Sequence, residues 1–199
     1  FESFSQGVHG CWNLNRIWMD LLEQKLDITF GYTNLNKPVI HRGTVAHDRV
    51  LWDMMGMAID RSGYTDKVGL QVDAAAECYW DPEKQVYCDL FSSEEKTTEE
   101  LLELYVEMST SYPFLIIEDP FRDTDFESHA LLTQKVAPYG VEIAGDDIFA
   151  TDPDRLTYGI QQGACNAVIL KVNQRGTITE AFDTVGKAYE NGYGVLPCN

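Results

Sequence analysis

Apolar residues near the start of the chain recur at helical spacing. Over Phe4–Lys25 they stand three and four residues apart, which predicts an amphipathic helix. A second helix is predicted from about Ala46 to Arg61, because Ser62 and Gly63 follow it as a stop signal. The stretch between them, residues 27–43, is rich in Gly, Asn and Pro and predicts a loop.

From residue 68 onward, short apolar runs alternate with helical segments. The predicted strands cover 68–73, 114–117, 141–144, 167–170 and 194–196, and a small hairpin is predicted over 79–91. Helices are predicted from 97, over 125–136, from 152 and over 177–190. Near-continuous Val, Ile and Leu runs separated by single helices indicate an α/β fold with parallel strands. It is either an open doubly wound sheet or a closed barrel, and the lack of a glycine-rich phosphate loop after any strand favours the barrel.

The composition and net charge of the chain limit the kinds of molecule that it is expected to bind. The chain has 199 residues, 44% of them hydrophobic, and its 15 basic and 32 acidic residues leave a net charge of −17. Such a charge repels nucleic acids and anionic membranes, so neither is expected as a partner. No apolar run approaches the roughly 18–20 residues of a membrane span. The five scattered cysteines lack CxxC spacing and are typical of reduced thiols, which predicts a cytoplasmic location.

One charged residue stands at the carboxyl end of each of four consecutive predicted strands. These are Asp73, Glu118, Asp146 and Lys171. Taken singly, Asp73 could form a turn, Asp146 could cap a helix and Glu118 could be a loop acid. Their repetition at one structural position favours a shared site, because the carboxyl ends of barrel strands meet at one mouth. Three converging carboxylates repel one another, and oxygen ligands without His or Cys suit Mg²⁺.

Lys171 completes this constellation. A lysine that is partly desolvated beside a cation has a lowered pKa and can act as a base. Carboxylates, a divalent cation and a lysine together suit the removal of a proton α to a carboxylate, with the metal stabilising the enolate charge.

Four segments of the chain resemble sequence motifs of enolases. They are Val72-Asp73-Ala74-Ala75, Ile117-Glu118-Asp119-Pro120-Phe121, Gly145-Asp146-Asp147 and Leu170-Lys171-Val172-Asn173-Gln174. Shorter similarities include Gly63–Val68, Thr151-Asp152-Pro153 and Thr177–Glu180, so the likeness runs from about Val50 to Leu196. The chain therefore resembles enolase, or phosphopyruvate hydratase, as a divergent paralogue.

The resemblance implies an enolase-type β/α (TIM-like) barrel of which only part is present. Residues 1–199 are then expected to be a partial C-terminal enolase barrel domain, with the N-terminal enolase domain and the end of the barrel absent. The count of about five clear strands agrees with this expectation, because a closed barrel of this kind has eight.

The resemblance also implies roles for individual residues. Asp73, Glu118 and Asp146 would be the Mg²⁺ ligands, and Lys171 would take the proton from carbon two of 2-phosphoglycerate on the way to phosphoenolpyruvate, a step of glycolysis. Further residues are expected on the substrate side or in support of the site: Asp119, Asp147, Asn173, Gln174 and Asn199. The expected partners are a small phosphorylated carboxylate and a second copy of the chain or assembly proteins.

Two departures from the enolase pattern leave the function open. Enolases carry a Gly-Asp-Glu-Gly-Gly loop, whereas residues 28–47 contain no Asp or Glu, and Asn199 stands where enolases have a His. One hypothesis is an active lyase with a remodelled acid loop. The other is a catalytically impaired pseudo-enolase, a structural or binding module in a larger flagellar or cytoskeletal assembly. His41 and His47 either line a remodelled mouth or are surface residues.

Overall fold

The computed structural model describes residues 3–30 and 40–198, which fall into two compact units. The first unit comprises Phe1–Gly69 with Cys88–Glu95, and the second comprises Leu70–Tyr87 with Lys96–Asn199. Within the described part of the chain, no helix is both long and apolar enough to cross a membrane.

The first unit is built on two helices, α1 (Phe4–Leu26) and α2 (Arg49–Ser62). Its core is formed by Met19, Leu22 and Phe30, with partly buried residues of both helices packed against them. Helix α1 matches the prediction, whereas α2 begins later than the predicted start near Ala46. Residues 41–48 form turns and bends instead, and Asp48 stands at the N-cap of α2, where its side chain makes no capping hydrogen bond.

The second unit alternates strands and helices. Its elements are β1 (Leu70–Asp73), β2 (Trp80–Asp81), β3 (Val86–Tyr87), α3 (Thr98–Ser111), β4 (Phe114–Glu118), α4 (Phe126–Val136), β5 (Glu142–Gly145), α5 (Pro153–Gln162), β6 (Ala167–Leu170), α6 (Ile178–Glu190) and β7 (Gly194–Pro197). Strands β2 and β3 form the predicted antiparallel hairpin. A 3₁₀ helix over Ala76–Tyr79 was not predicted, and it follows Ala75, whose backbone is left-handed with φ 42°.

The main sheet decides between the two topologies that the sequence left open. It has five strands in the order β1-β4-β5-β6-β7, and every neighbouring pair is parallel. A doubly wound sheet reverses its strand order at a switch point, whereas a barrel adds each strand beside the previous one. The observed order is that of a barrel.

The helices begin where their capping residues predict. Thr97 accepts from the backbone N–H of Glu100 while the Glu100 carboxylate accepts from the N–H of Thr97, and Thr177 and Glu180 repeat this capping box. Asp152 caps α5, and proline at the first turn of α5 suits a helix start. These caps fix where each strand-to-helix connection ends, and so position the loops that leave the carboxyl ends of the strands.

One face of the sheet carries a small apolar cluster. Ala144, Ala167 and Ile169 are buried there, with Ile116 and Leu196 packed against them. Side chains alternate between the two faces of a strand, so residues two positions beyond these cluster members lie on the same face. This two-residue alternation therefore identifies the side chains that lie on this face at the carboxyl ends of the strands.

Candidate active site

The four charged residues that end the predicted strands lie on one edge and one face of the sheet. Asp73 and Glu118 are the last residues of β1 and β4 and are paired in register. Asp146 and Lys171 directly follow β5 and β6. Glu118, Asp146 and Lys171 each stand two residues beyond a member of the apolar cluster, which directs their side chains to the same face.

The carboxylates form two overlapping groups. One oxygen each from Asp73, Glu118 and Asp119 lies within 4.8 Å of the others, and the same holds for Asp119, Asp146 and Asp147. Glu118, Asp119 and Asp146 are buried, while Asp73 and Asp147 are exposed. The predicted ligand triad is therefore spread over both groups, and Asp119 is the residue that the groups share.

Asp119 joins the ends of β4 and β5. One of its carboxylate oxygens accepts from the backbone N–H of Asp146 at 3.0 Å, and the other accepts from that of Asp147 at 2.7 Å. Its own backbone is left-handed, with φ 42°, and its N–H donates to the carbonyl of Ala144. The sequence placed Asp119 on the substrate side or in support of the site, and in the structure its carboxylate binds the backbone that follows β5.

Burial and mutual repulsion raise the pKa values of four of these carboxyl groups. Burial first, then the charges of Asp73 and Asp146, raise the pKa of Glu118 to about 7. Burial also raises the pKa of Asp119 to about 7, against the two backbone N–H groups that lower it. The pKa values of Asp73 and Asp147 are raised as well, in both cases chiefly because neighbouring groups partly desolvate the carboxyl group of a residue that is otherwise exposed.

This charge balance and the chemistry of the donors test whether a divalent cation fits the site. Burial and the neighbouring carboxylates both disfavour the ionised forms of Glu118 and Asp119, and a cation among their oxygens would favour those forms. All the clustered donors are carboxylate oxygens, the ligands that hard cations such as Mg²⁺ prefer. The residues present therefore fit a hard cation such as Mg²⁺, while the predicted ligand set of Asp73, Glu118 and Asp146 stays a prediction.

Lys171 contacts the cluster through Asp146. Its Nζ donates a hydrogen bond to Oδ2 of Asp146, and 27% of the lysine side chain is exposed. Gln174 donates from Nε2 to the other oxygen, Oδ1, at 3.0 Å. The hydrogen bond to Asp146 raises the pKa of Lys171. The lowering predicted from sequence depends on a cation beside the amine, and it stays a prediction.

The other predicted residues are less closely tied to the carboxylates. Asn173 is exposed in the 3₁₀ turn Val172–Gln174, and among the described residues no hydrogen bond joins its side chain to the cluster. Asn199 lies outside the described residues. His47 is exposed and contacts Glu94 at 2.8 Å inside the first unit, and His41 is exposed there too.

Two residues near the carboxylates were missed from sequence. Gln71 donates from Nε2 to Oε2 of Glu118 at 3.1 Å, and the signal for it was available, since it lies two residues before Asp73 on the same strand face. Thr151 accepts from the backbone N–H of Lys171 at 3.0 Å. The only sequence signal for that threonine was the short motif Thr151-Asp152-Pro153, and this motif does not indicate which residues the hydroxyl contacts.

Comparison with known proteins identifies the family. The enolase C-terminal TIM barrel domain matches residues 38–198 of this chain. The chain belongs to the enolase family. Its five parallel strands are thus part of an enolase-type β/α barrel, which confirms the fold class predicted from sequence.

Curated enolases of several organisms are similar over much of the chain. The enolase of Methanosarcina barkeri is 42% identical over 199 residues, which are 98% of this chain and 44% of that protein. The enolase of Methanopyrus kandleri is 34% identical over 200 residues, or 98% of this chain and 45% of that protein. The enolase of Thermococcus kodakarensis is 42% identical over 146 residues, which are 72% of this chain and 33% of that protein. The chain spans less than half the length of these relatives.

Proposed function

We propose that this protein catalyses the Mg²⁺-dependent dehydration of 2-phosphoglycerate to phosphoenolpyruvate, the enolase reaction of glycolysis. The observation that supports this most is the hydrogen bond from Lys171 to Asp146 within a row of strand-end carboxylates. Residues 1–199 serve in this proposal as a partial C-terminal barrel domain, since five strands of the main sheet are present and a closed barrel of this kind has eight.

Asp73, Glu118 and Asp146 are the proposed metal ligands. Mg²⁺ bound there supplies Lewis-acid stabilisation of negative charge on the substrate carboxylate. Asp119 supports the ligands, because it holds the backbone N–H groups of Asp146 and Asp147. Gln71 orients Glu118 through its hydrogen bond to Oε2.

Lys171 is the proposed base. With the charge of Asp146 offset by a bound cation, the cause that raises the pKa of Lys171 would be removed and its amine would be neutral. The neutral amine takes the proton from carbon two, and the electron pair of the broken C–H bond passes toward the substrate carboxylate. The pair then forms the double bond as the hydroxyl leaves carbon three, and solvent water supplies the proton with which it departs as water, since residues 28–47 contain no Asp or Glu. The hydrogen bond to Asp146 holds Nζ in one position, which lowers the entropic cost of reaching the transition state.

Turnover by the complete protein tests the role of the lysine. Lys171→Ala is expected to reduce the formation of phosphoenolpyruvate by at least about 100-fold, the range for loss of a general base. Lys135→Ala is the matched control, because Lys135 lies on α4 and contacts Glu103 at 2.9 Å. Equal rates for the wild type and Lys171→Ala would exclude Lys171 as the base.

Thermal unfolding tests the metal site without reference to turnover. Millimolar Mg²⁺ is expected to raise the melting temperature of the wild type, because a ligand that binds only the native state shifts unfolding by mass action. Asp146→Ala should abolish the rise, whereas Asp154→Ala should keep it, since the Asp154 side chain is 98% exposed. The proposed metal site would be contradicted if Mg²⁺ raised the melting temperature of neither the wild type nor Asp154→Ala.

A second candidate is a pseudo-enolase that binds Mg²⁺ without turnover and serves as a module in a larger assembly. The absence of any Asp or Glu from residues 28–47 favours it, because the acid that protonates the leaving hydroxyl in enolases comes from that stretch. A wild type that responds to Mg²⁺ but forms no phosphoenolpyruvate would support this candidate over the lyase. Assembly partners, a flagellar setting and the cytoplasmic location stay predictions.

A further inference from the structure

Thr151 occupies a strained and fully buried position in the loop between β5 and α5. Its exposed fraction is 0%, and its backbone is left-handed with φ 53°, as is that of Ala150 at 48°. β-branched residues rarely adopt this conformation, because Cβ crowds the neighbouring carbonyl. Such strain persists only where surrounding contacts hold it, and it is concentrated at functional sites.

The hydroxyl of Thr151 contacts the two residues that bind Asp146. Its oxygen accepts from the backbone N–H of Lys171 at 3.0 Å and donates to Oε1 of Gln174 at 2.7 Å. Gln174 in turn donates to Oδ1 of Asp146, and Lys171 donates to Oδ2. One threonine hydroxyl is therefore linked to both oxygens of the same carboxylate.

The direction of these hydrogen bonds makes the hydroxyl specific. The amide nitrogen of Gln174 faces the Asp146 carboxylate, which accepts only, so the amide oxygen faces Thr151 and requires a donor there. The backbone N–H of Lys171 requires an acceptor at the same atom. A hydroxyl meets both demands at once, and a methyl group of the same size meets neither.

Helix α6 fixes Thr151 from the other side. The buried hydroxyl of Thr184 donates to the carbonyl of Thr151 at 2.6 Å. This contact holds the strained backbone in place and leaves the Thr151 hydroxyl directed at the residues that follow β6.

We propose that Thr151 is a positioning residue that fixes the backbone of Lys171 and the side-chain amide of Gln174, and thereby keeps the Lys171 amine and the Gln174 amide on the two oxygens of Asp146. The proposal rests on the proposed function in one respect, namely that Lys171 is the base. It concerns a residue that touches neither the substrate nor the metal in that mechanism.

The variants that test it are Thr151→Val, which removes the hydroxyl and keeps the shape, and Thr151→Ser, which keeps the hydroxyl. Thr133→Val is the matched control. The Thr133 hydroxyl also accepts from a backbone N–H, that of Cys165 at 3.1 Å, and donates to the carbonyl of His129 at 2.8 Å. That N–H lies before β6, at the opposite end of the strand from Lys171.

Amide hydrogen exchange tests the hydrogen bond between Thr151 and the Lys171 backbone independently of turnover. In Thr151→Val the backbone amide of Lys171 is expected to exchange about 10-fold faster or more, and in Thr151→Ser it should return toward the wild-type rate. Thr133→Val should leave the Lys171 amide unchanged. An unchanged Lys171 amide in a folded Thr151→Val protein would overturn the proposal.

Kinetics give the second measurement. Thr151→Val is expected to lower kcat by about 10- to 100-fold with KM changed by less than about threefold, and Thr151→Ser should recover most of kcat. Thr133→Val should keep wild-type kcat. An equal loss of kcat in Thr133→Val and Thr151→Val would overturn the positioning role, because it would reflect general destabilisation. If the wild type shows no turnover, the proposed function fails, and the exchange measurement still decides whether Thr151 positions Lys171.

Discussion

Asp119 binds the backbone N–H of Asp146 across the ends of two neighbouring strands, with its Oδ1 at 3.0 Å from the nitrogen. Its second oxygen accepts from the next N–H, that of Asp147, at 2.7 Å. Both bonds run from the loop after β4 to the loop after β5. The carboxylate therefore sets the spacing between the proposed ligands Glu118 and Asp146.

Asp119→Asn tests this role. The amide offers one acceptor and one donor, so one of the two backbone N–H groups would face another N–H. We expect a loss of about 1–3 kcal/mol in the free energy of unfolding, typical of a buried donor left without a partner. The measured affinity for Mg²⁺ should fall by about 10- to 100-fold, as for other residues that orient metal ligands.

The control for Asp119→Asn is Asp154→Asn, which makes the same chemical change on a side chain that is 98% exposed. Exposed ion pairs contribute little to stability. The free energy of unfolding of this control, measured with denaturant, should therefore match that of the wild type within about 0.5 kcal/mol. A wild-type Mg²⁺ affinity in Asp119→Asn would show that Asp119 does not position the ligands.

Glu118→Gln is expected to stabilise the protein when no divalent ion is present. Glu118 is buried beside Asp73 and Asp146, whose charges raise its pKa. A neutral side chain of the same shape removes that repulsion and can still accept from Gln71. Chemical denaturation at about pH 8 should show a gain of roughly 1 kcal/mol, as is common when a strained functional site is neutralised.

The gain should come at the expense of metal binding, so Glu118→Gln should lose the rise in melting temperature with Mg²⁺. Glu103→Gln is the control, because Glu103 is exposed and forms an ion pair with a surface lysine, Lys135, away from the carboxylate cluster. A Glu118→Gln protein less stable than the wild type without divalent ions would contradict the repulsion argument.

Two glycines inside helices should respond to the same substitution with opposite signs. A Cβ at Gly159 in α5 would lie 2.9 Å from Cζ of Phe149 and closer still to Cε1, and the Phe149 ring is fully buried. A Cβ at Gly186 in α6 would meet nothing within 4 Å. Gly159→Ala should therefore cost about 1–3 kcal/mol by overpacking, despite the better helix propensity of alanine.

Gly186→Ala should stabilise the protein by about 0.5–1 kcal/mol, since alanine has the higher helix propensity and nothing opposes it. Thermal unfolding of the two variants beside the wild type measures both effects. A stabilising Gly159→Ala would show that the Phe149 ring moves aside without cost.

His129 predicts a dependence of stability on pH. It is fully buried in α4, where Nδ1 contacts the carbonyl of Asp125 at 2.8 Å and the ring packs edge-on against Phe121. Burial lowers its pKa from 6.5 to about 4, against the opposing effects of Asp125 and Asp123. Between pH 6.5 and about pH 4, His129 binds a proton in the unfolded chain but stays neutral in the folded chain.

The contribution of His129 is therefore fully present above pH 6.5 and is lost as the pH falls toward 4. Over that window it amounts to about 3 kcal/mol, from roughly 1.36 kcal/mol per pH unit. His129→Phe removes the titrating group and keeps an aromatic ring. Unfolding free energies from about pH 8 to about pH 4 should fall less steeply in His129→Phe than in the wild type. Parallel curves would show that His129 does not carry this dependence.

Much of the fold follows from local sequence. Thr97, Asp152 and Thr177 mark helix starts because their side chains satisfy backbone N–H groups that no helical carbonyl reaches. The start of α2 was placed too early, since apolar spacing alone does not locate a helix boundary. The 3₁₀ helix after β1 was missed because the left-handed Ala75 that introduces it has no side-chain signature.

The sequence by itself determined which chemistry stands at the strand ends. Alternation along a strand and the parallel direction of neighbouring strands are local properties, so Asp73, Glu118, Asp146 and Lys171 were assigned to one edge before any contact was known. Only the tertiary structure decided which atoms meet. The shared position of Asp119 and the link from Thr151 to Lys171 depend on register and loop geometry between residues about 20 or more positions apart. Such contacts arise from the packing of whole strands and loops, which no short stretch of sequence specifies.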